Sequence, residues 1–578
     1  MFPAAVFSEA IPVDLRHGAQ GWQLVRNGQP YLIKGAGGAA SLELLASAGG
    51  NSIRTWSADN LGATLERAQE LGLTVTAGIW LGHERHGFDY DDAEQVRQQF
   101  ERAREIVSRY KDHPALLIWA IGNEMEGFDD GDNPAIWKAV NDIAAMIKEL
   151  DPAHPTMTVT AEIGGARIDY LHRRCPAIDI HGINSYGGAA SLLERYRLAG
   201  STKPFVLTEF GPPGPWEVAK TQWGAPLEPS STEKAALYRA HYQRTVRDGD
   251  NLALGSYVFN WGFKMEGTAT WFGMFLDEGA ELGTVDAMTE LWSGKPPVNL
   301  APIVEPLVVE RGAQVNPGAR IRIRSHVSDP EGDALTVRWA LRPESDDYTT
   351  GGDFRPPLAD IDDAIVEASE DSALVRMPEY PGAYRLFYYA YDAAGKAATA
   401  NVPLLVKGEV RTRLPVVVYE DGFEGMPWAP SGWMGAIDSL SLDGGYAENP
   451  HSGNASIRMR YTGEYGWAGI AWQNPPNNWG DEEGGYDLGG ATQLTLWARG
   501  EYGGERIKIG VGIIGDDKAH PDSGIAAVDG IVLSQDWQRY SIPLKRTDLS
   551  SIKTGFVIVL NGRKTPVTVY LDRIRFVR

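Results

Sequence analysis

Cysteine is all but absent from this chain. Among 578 residues only Cys175 is a cysteine, so no intrachain disulfide can brace the fold. Beside Pro176 and ahead of an apolar run, it reads as a buried, inert thiol. No apolar run reaches about 18 residues, which leaves no candidate membrane-spanning helix. Positive charge is scarce: 54 Lys and Arg against 76 Asp and Glu give a net charge of −22. That balance disfavours nucleic acid or an anionic membrane as partner and is compatible with a neutral polysaccharide. The start, Met1-Phe2-Pro3-Ala4, has neither a basic n-region nor a long apolar h-region. An export signal removed and replaced by Met is the expectation; an intracellular chain is the alternative. No short-period repeat is visible.

Aromatics are abundant: 18 Trp and 23 Tyr suit stacking on sugar rings as well as core packing. The length predicts two to four domains at roughly 100–200 residues each. From about 20 to 293, short β-branched runs alternate with amphipathic helical stretches, the pattern of a parallel α/β fold. An opening hairpin, 22–25 and 30–33, turns at Asn27-Gly28. Strands are predicted at 33–35, 51–56, 73–80, 115–121, 156–160, 178–183, 205–207 and 254–260. Helices fall between them, for example at 61–71, 93–110, 136–150 and 231–247. Eight such units predict a (β/α)8 TIM barrel over 1–295. A doubly wound sheet is the alternative, but no Gly-rich phosphate loop follows the first strand. Gly294-Lys295-Pro296-Pro297-Val298-Asn299 reads as a linker.

Beyond it, 301–408 holds only short strands and turns (320–326, 334–341, 383–391), which predicts an immunoglobulin-like β-sandwich. Its turn Ser328-Asp329-Pro330-Glu331-Gly332-Asp333 is read as solvated carboxylates in preference to a Ca²⁺ site. Residues 415–578 carry further strands (416–419, 455–461, 493–498, 507–514, 538–543, 568–577), spaced as in a jelly-roll β-sandwich.

Two carboxylates stand out by position. Glu124 follows Leu116-Leu117-Ile118-Trp119-Ala120-Ile121-Gly122-Asn123, and Glu209 follows Phe205-Val206-Leu207-Thr208. By count these are strands four and seven, so both lie on the C-terminal rim where barrel enzymes keep their active sites. A pair at about 5–5.5 Å performs double displacement at an anomeric carbon, one residue attacking while the other gives and then takes a proton. Glu209 is read as nucleophile and Glu124 as acid/base. No cofactor is needed for this chemistry.

These motifs resemble the clan A glycoside hydrolases, and most closely the TIM-barrel domain of glycoside hydrolase family 2, over about 20–293. The resemblance implies that Asn123-Glu124 is the strand-four acid/base motif and that Glu209 is the strand-seven nucleophile. It also implies that Arg54 contacts the nucleophile, that Tyr186 hydrogen-bonds it, and that Trp261 is the floor under the reacting sugar. Asn123 would bind the sugar 2-hydroxyl. The chain departs from the family in carrying about 20 residues, not sandwich domains, ahead of the barrel.

His83, in Leu81-Gly82-His83-Glu84-Arg85-His86, is a candidate for substrate hydrogen bonding, with a surface role as the alternative. His181 reads as a core residue, and Glu84 and Glu162 as rival rim carboxylates. Trp271 and Phe272 would line the cleft or pack its loop. The last region resembles β-sandwich carbohydrate-binding modules, which implies a structural Ca²⁺ held by Asp421, Glu424 and Asp572. Tyr465, Trp467, Trp472 and Trp479 with Asn474, Asn477 and Asn478 are the candidate sugar-stacking surface. The expectation is therefore a secreted or periplasmic retaining β-glycoside hydrolase acting on a polysaccharide or its oligosaccharides. β-Glucan leads, followed by agar-type β-galactan and β-mannan. A transglycosylase using the same glutamates and a non-catalytic polysaccharide-binding protein are the alternatives. Oligomeric state is not legible.

Overall fold

The computed structural model describes residues 10–19, 21–38, 40–126, 131–247, 252–345, 348, 358, 360–361, 363–378, 381–407 and 414–577. Met1 to Ala4 and the expected boundary residues 408 and 578 lie outside these. Three short strands open the chain: β1 (Val13–Gly18), β2 (Gly21–Arg26) and β3 (Gln29–Pro30), paired in that order. The hairpin predicted at 22–33 is the β2–β3 part of this sheet, turning at Asn27-Gly28 with both residues at positive φ. β1 was not foreseen, because Val-Asp-Leu-Arg-His-Gly offers only two apolar side chains. Those two, Val13 and Leu15, pack with Leu24 against Ile33, Leu117 and Ile118, so the small sheet plugs the bottom of the barrel.

Eight parallel strands close the barrel. They are β4 (Ile33–Gly37), β5 (Ser52–Arg54), β6 (Thr74–Ile79), β7 (Leu116–Asn123), β8 (Thr156–Ala161), β9 (Ile180–Asn184), β10 (Phe205–Phe210) and β11 (Ala253–Phe259). A strand buried on both faces is apolar throughout, and β7 is buried from Leu116 to Gly122. The helices begin where capping side chains stand. Asp92 caps Ala93–Tyr110, Asn133 caps Pro134–Leu150, and Ser230 with Glu233 forms a capping box on Ser231–Tyr242. The predicted helix 231–247 is α only to Tyr242 and continues as a π-turn over Gln243–Arg247.

After the barrel come antiparallel β-sandwiches. In the first, Thr336–Pro343, Gly382–Tyr391 and Lys396–Val406 form one sheet, and Val308–Val309, Arg320–Arg324, Ser372–Arg376 and Ile365–Ala368 form the other. They enclose Ile323, Trp339, Leu341, Val375, Leu386 and Tyr388. In the second, two larger sheets enclose Trp428, Met459, Trp472, Leu496 and Phe556, consistent with a jelly roll. Five strands here go beyond the sequence reading: Ala429–Gly435, Leu440–Tyr446, Trp467–Gln473, Ala526–Val532 and Thr554–Asn561. The first, second and fourth are Gly- or Pro-bearing edge strands, half-exposed and weakly patterned.

Candidate active site

The C-terminal ends of the barrel strands converge on Glu209 and Glu124. Glu209, on β10, is only 6% exposed. It accepts three hydrogen bonds: from Arg54 Nη1 (2.8 Å) and Trp56 Nε1 (2.7 Å) at Oε1, and from the Tyr186 hydroxyl (2.7 Å) at Oε2. Every partner donates, which suits a carboxylate that must stay free of a proton. Arg54, buried at the end of β5, also donates to the Thr208 carbonyl (3.0 Å) and through Nη2 to Asn123 Oδ1 (2.6 Å). A guanidinium has no acceptor, so the atom of Asn123 facing it must be oxygen. Asn184 Nδ2 donates to the same oxygen (3.1 Å), leaving the Asn123 amide N–H₂ as the group to offer a ligand.

Glu124 follows the end of β7 in the left-handed region (φ 51°), with its N–H bonded to Val159 O at 2.9 Å. That backbone state costs a non-glycine residue roughly 1–3 kcal/mol and is held by its surroundings. Gly122, just ahead, has φ 70°, and a Cβ there would stand 2.6 Å from Met125 Cγ. Asn184 Nδ2 donates to Glu124 Oε1 (2.7 Å), and Asn184 is in turn fixed by the Thr208 hydroxyl (2.8 Å). Burial first, and the Glu209 charge second, push the Glu124 carboxyl from 4.5 up to about 8; the Asn184 bond opposes them. The two glutamates therefore sit in opposite environments: one ringed by donors, the other enclosed so that it keeps its proton.

Arg54, Asn123 and Tyr186 are thus brought to the glutamates as expected. Trp261 is not, and its assignment is corrected. β11 ends at Phe259, and the chain then turns. Trp261 is carried across Gly38 into the helix layer, 1% exposed, edge-on to Phe275 (5.1 Å) and donating to Ser41 O. The apolar wall of the site comes instead from Phe259, packed on Trp56 (6.0 Å), Tyr186 (5.9 Å) and Phe272 (5.7 Å). Trp271 and Phe272 are buried behind it. The exposed rings on the rim are Trp216 (52%), edge-on to Tyr186 at 6.2 Å, and Trp80 (40%). His83 is buried, not on the surface, and stacks on Trp80 at 4.9 Å.

Sequence reasoning missed Trp56 and Asn184 as site residues. Asn184 ends β9 two residues before Tyr186 and Trp56 lies two residues past Arg54, but no local pattern marks either as a donor to the glutamates. The rivals are otherwise occupied: Glu162 binds Arg195 (2.7 Å) and Ser185, and Glu84 accepts from Asn133 (2.9 Å). His181 is a core residue, bonded to Thr160 and pushed down to about 3 by burial. Cys175 is buried and its thiol pushed up to about 12, so it is inert.

In the last sandwich the expected sets divide. Trp472 lies in the core, and Asn474 and Asn478 hold loop backbone, while Tyr465 (77%) and Trp467 (44%) are exposed. Trp433 (38%) is a further exposed ring. The three-carboxylate metal set is corrected: among the described residues no three His, Cys, Asp or Glu side chains form a group that could hold a metal. Asp421 and Asp572 do meet one loop, accepting from Asn454 and Ala455 N–H and from Ser452 N–H respectively. Glu424 is exposed. Asp572 is fully buried, and among the described residues its Oδ1 has no hydrogen-bond partner, which makes it a donor atom that fits a hard cation. In the first sandwich Asp329 Oδ1 accepts from Glu331 and Asp333 N–H, as a turn residue does.

Residues 42–213 match the family model described as glycosyl hydrolases family 2, TIM barrel domain. The chain is 26% identical over 211 residues to a putative β-glucuronidase of Formosa agariphila, covering 34% of this chain and 18% of that protein. It is 26% identical over 234 residues to a β-galactosidase of Vibrio cholerae, covering 35% and 22%. The chain thus spans about a fifth of the length of these relatives. A solved β-D-glucuronidase of Dictyoglomus thermophilum aligns with TM-score 0.38 at 18% identity, over 49% of this chain and 54% of that one.

Proposed function

We propose a retaining β-glycoside hydrolase for this chain, whose residues 42–213 match the family model of the glycosyl hydrolase family 2 TIM-barrel domain. One observation carries the reading: Glu209 receives three donated hydrogen bonds, and Glu124, pushed up to about 8, faces it from the end of β7. Glu209 attacks the anomeric carbon while Glu124 passes its proton to the departing glycosidic oxygen. The bond to the leaving sugar breaks as the bond to Glu209 Oε forms. Glu124, now a carboxylate, takes a proton from water, whose oxygen displaces Glu209 and restores both groups. Asn123 Nδ2 donates to the sugar 2-hydroxyl, and Phe259 with Trp56 supplies the apolar face.

The substrate class is a β-linked polysaccharide or its oligosaccharides. The exposed Trp80 and Trp216 on the rim support a site that stacks sugar rings beyond the scissile bond. β-Glucan is first on the panel, with agar-type β-galactan, β-mannan and, from the named relatives, β-glucuronides and β-galactosides beside it. A polymeric substrate fits an extracytoplasmic site of action. Among the described residues no helix is long and apolar enough to cross a membrane. Asp572 and Asp421 are the side chains we propose would hold a structural Ca²⁺ in the last sandwich. The test of the enzyme reading is Glu209→Gln: turnover is lost, substrate binding is kept, and the wild type releases its first product with the anomeric configuration retained. Undiminished turnover, or an inverted product, overturns it.

A further inference from the structure

The segment from Asn260 to Leu282, which joins β11 to the last barrel helix (Gly283–Ser293), belongs to two units at once. Its middle part backs the site: Phe272 lies 5.3 Å from the Tyr186 ring and 5.7 Å from Phe259, and its carbonyl accepts from Asn260 N–H. Its end is a strand, β12 (Glu281–Leu282), that pairs in parallel with Lys396-Ala397 at the edge of the immunoglobulin-like sheet. Leu276 and Leu282 pack there with Ala340, Phe387 and Tyr389.

A buried polar network grips the segment between these ends. Arg385, 1% exposed, comes from the immunoglobulin-like domain. It pairs with Glu344 (2.8 Å) and donates to Asn401 Oδ1 (2.6 Å) and, across to the barrel, to Pro226 O (2.8 Å). Asn401 reaches Thr270 Oγ1 (3.4 Å). From the barrel side Lys234 donates to Glu228 (2.5 Å) and Thr270 O (2.6 Å), and Glu228 accepts from the Thr268 and Thr270 hydroxyls (2.6 and 2.8 Å). Thr270 is held from both sides. The next two residues are Trp271, whose ring meets Tyr348 at 6.3 Å, and Phe272.

Four buried charges are a costly way to fill an interface that apolar side chains could fill as stably. What they supply is direction. We propose that Arg385 is a positioning residue for the reaction: through the Thr268–Phe272 segment it keeps Tyr186 seated against Glu209. The immunoglobulin-like domain is then a working part of the site, not an appendage. The inference rests on the glycosidase reading.

The test is the full chain with Arg385→Met and Glu344→Gln together, which removes both charges and strands neither. Hydrogen exchange at residues 268–272 should rise at least tenfold, and kcat should fall about tenfold with KM within twofold. In a Tyr186→Phe background the same pair should cost no further activity, because the path through Tyr186 is already cut. Unchanged exchange, unchanged kcat, or an equal loss in the Tyr186→Phe background overturns the proposal. Should the pair fail to fold, Thr270→Val is isosteric, cuts the hydroxyl bond to Glu228, and is read by the same three measurements. If the wild type cleaves no glycoside, the proposed function fails instead, and the exchange rate alone still decides whether Arg385 holds the segment.

Discussion

Replacing Glu124 by Gln removes the one group whose protonation should govern the basic side of the reaction. Burial and the neighbouring Glu209 charge move this carboxyl from 4.5 to about 8. A general acid must hold its proton, so kcat/KM of the wild type should fall tenfold per pH unit above about 8. Glu124→Gln should lose about 10²–10⁴ in rate on a glycoside with a poor leaving group. On an aryl glycoside whose leaving group needs no proton, it should keep its first step and show no basic limb. Stability gives an independent reading. Because the folded value lies above the unfolded one, this group's contribution is full below about 4.5 and is lost as pH rises through about 8. Gln has no such loss, so its melting temperature relative to wild type should climb between pH 5 and 8. A basic limb that survives in Glu124→Gln, or a flat difference in melting temperature, refutes the assignment.

Trp56→Phe keeps the ring but removes one of the three donors to Glu209, a bond to a charged group worth about 1.5–3 kcal/mol. Steady-state assays should find kcat/KM lowered about 10- to 100-fold, and a change under twofold would deny Trp56 its place. The two other tryptophans should separate cleanly. Trp261→Phe, in the core, should lower the melting temperature by several degrees and leave KM alone, whereas Trp216→Ala, half-exposed, should raise KM and leave melting alone. The reverse pattern would restore Trp261 to the sugar. Finally, Ca²⁺ added to chelator-treated protein should raise the melting temperature, and Asp572→Asn should abolish the increment. Superimposable curves with and without Ca²⁺ would remove the ion from the last sandwich.

The glutamates were legible because each ends a strand whose apolar run is broken by a short polar motif, and a parallel barrel puts every such break on one rim. Edge strands such as Leu440–Tyr446 were not, because glycine and half-exposure erase the period-two pattern that marks a strand. Trp56 and Asn184 lay outside the reading for another reason. Their partners, Glu209 and Glu124, are contributed by strands far away in sequence, and a donor's aim across the barrel mouth has no local signature.

Periodicity and polar punctuation are local, so the chain alone determined the eight βα units, the sandwiches after them, and the placing of Glu124 and Glu209 at the strand ends; Arg54, Asn123 and Tyr186 were added by the resemblance to the family 2 barrel. Direction is not local. Only the folded molecule decided that Trp261 turns into the core and Phe259 into the site, since the strand stops between them. Only the fold, likewise, joined Arg385 to Thr270 through Asn401 and so tied a β-sandwich to the back of a barrel's active site. The physical reason is the same in both cases: hydrogen bonds and ring contacts are made in three dimensions, at distances of a few ångströms, and they join residues as far apart in sequence as Trp261 and Ser41 or Asn401 and Thr270.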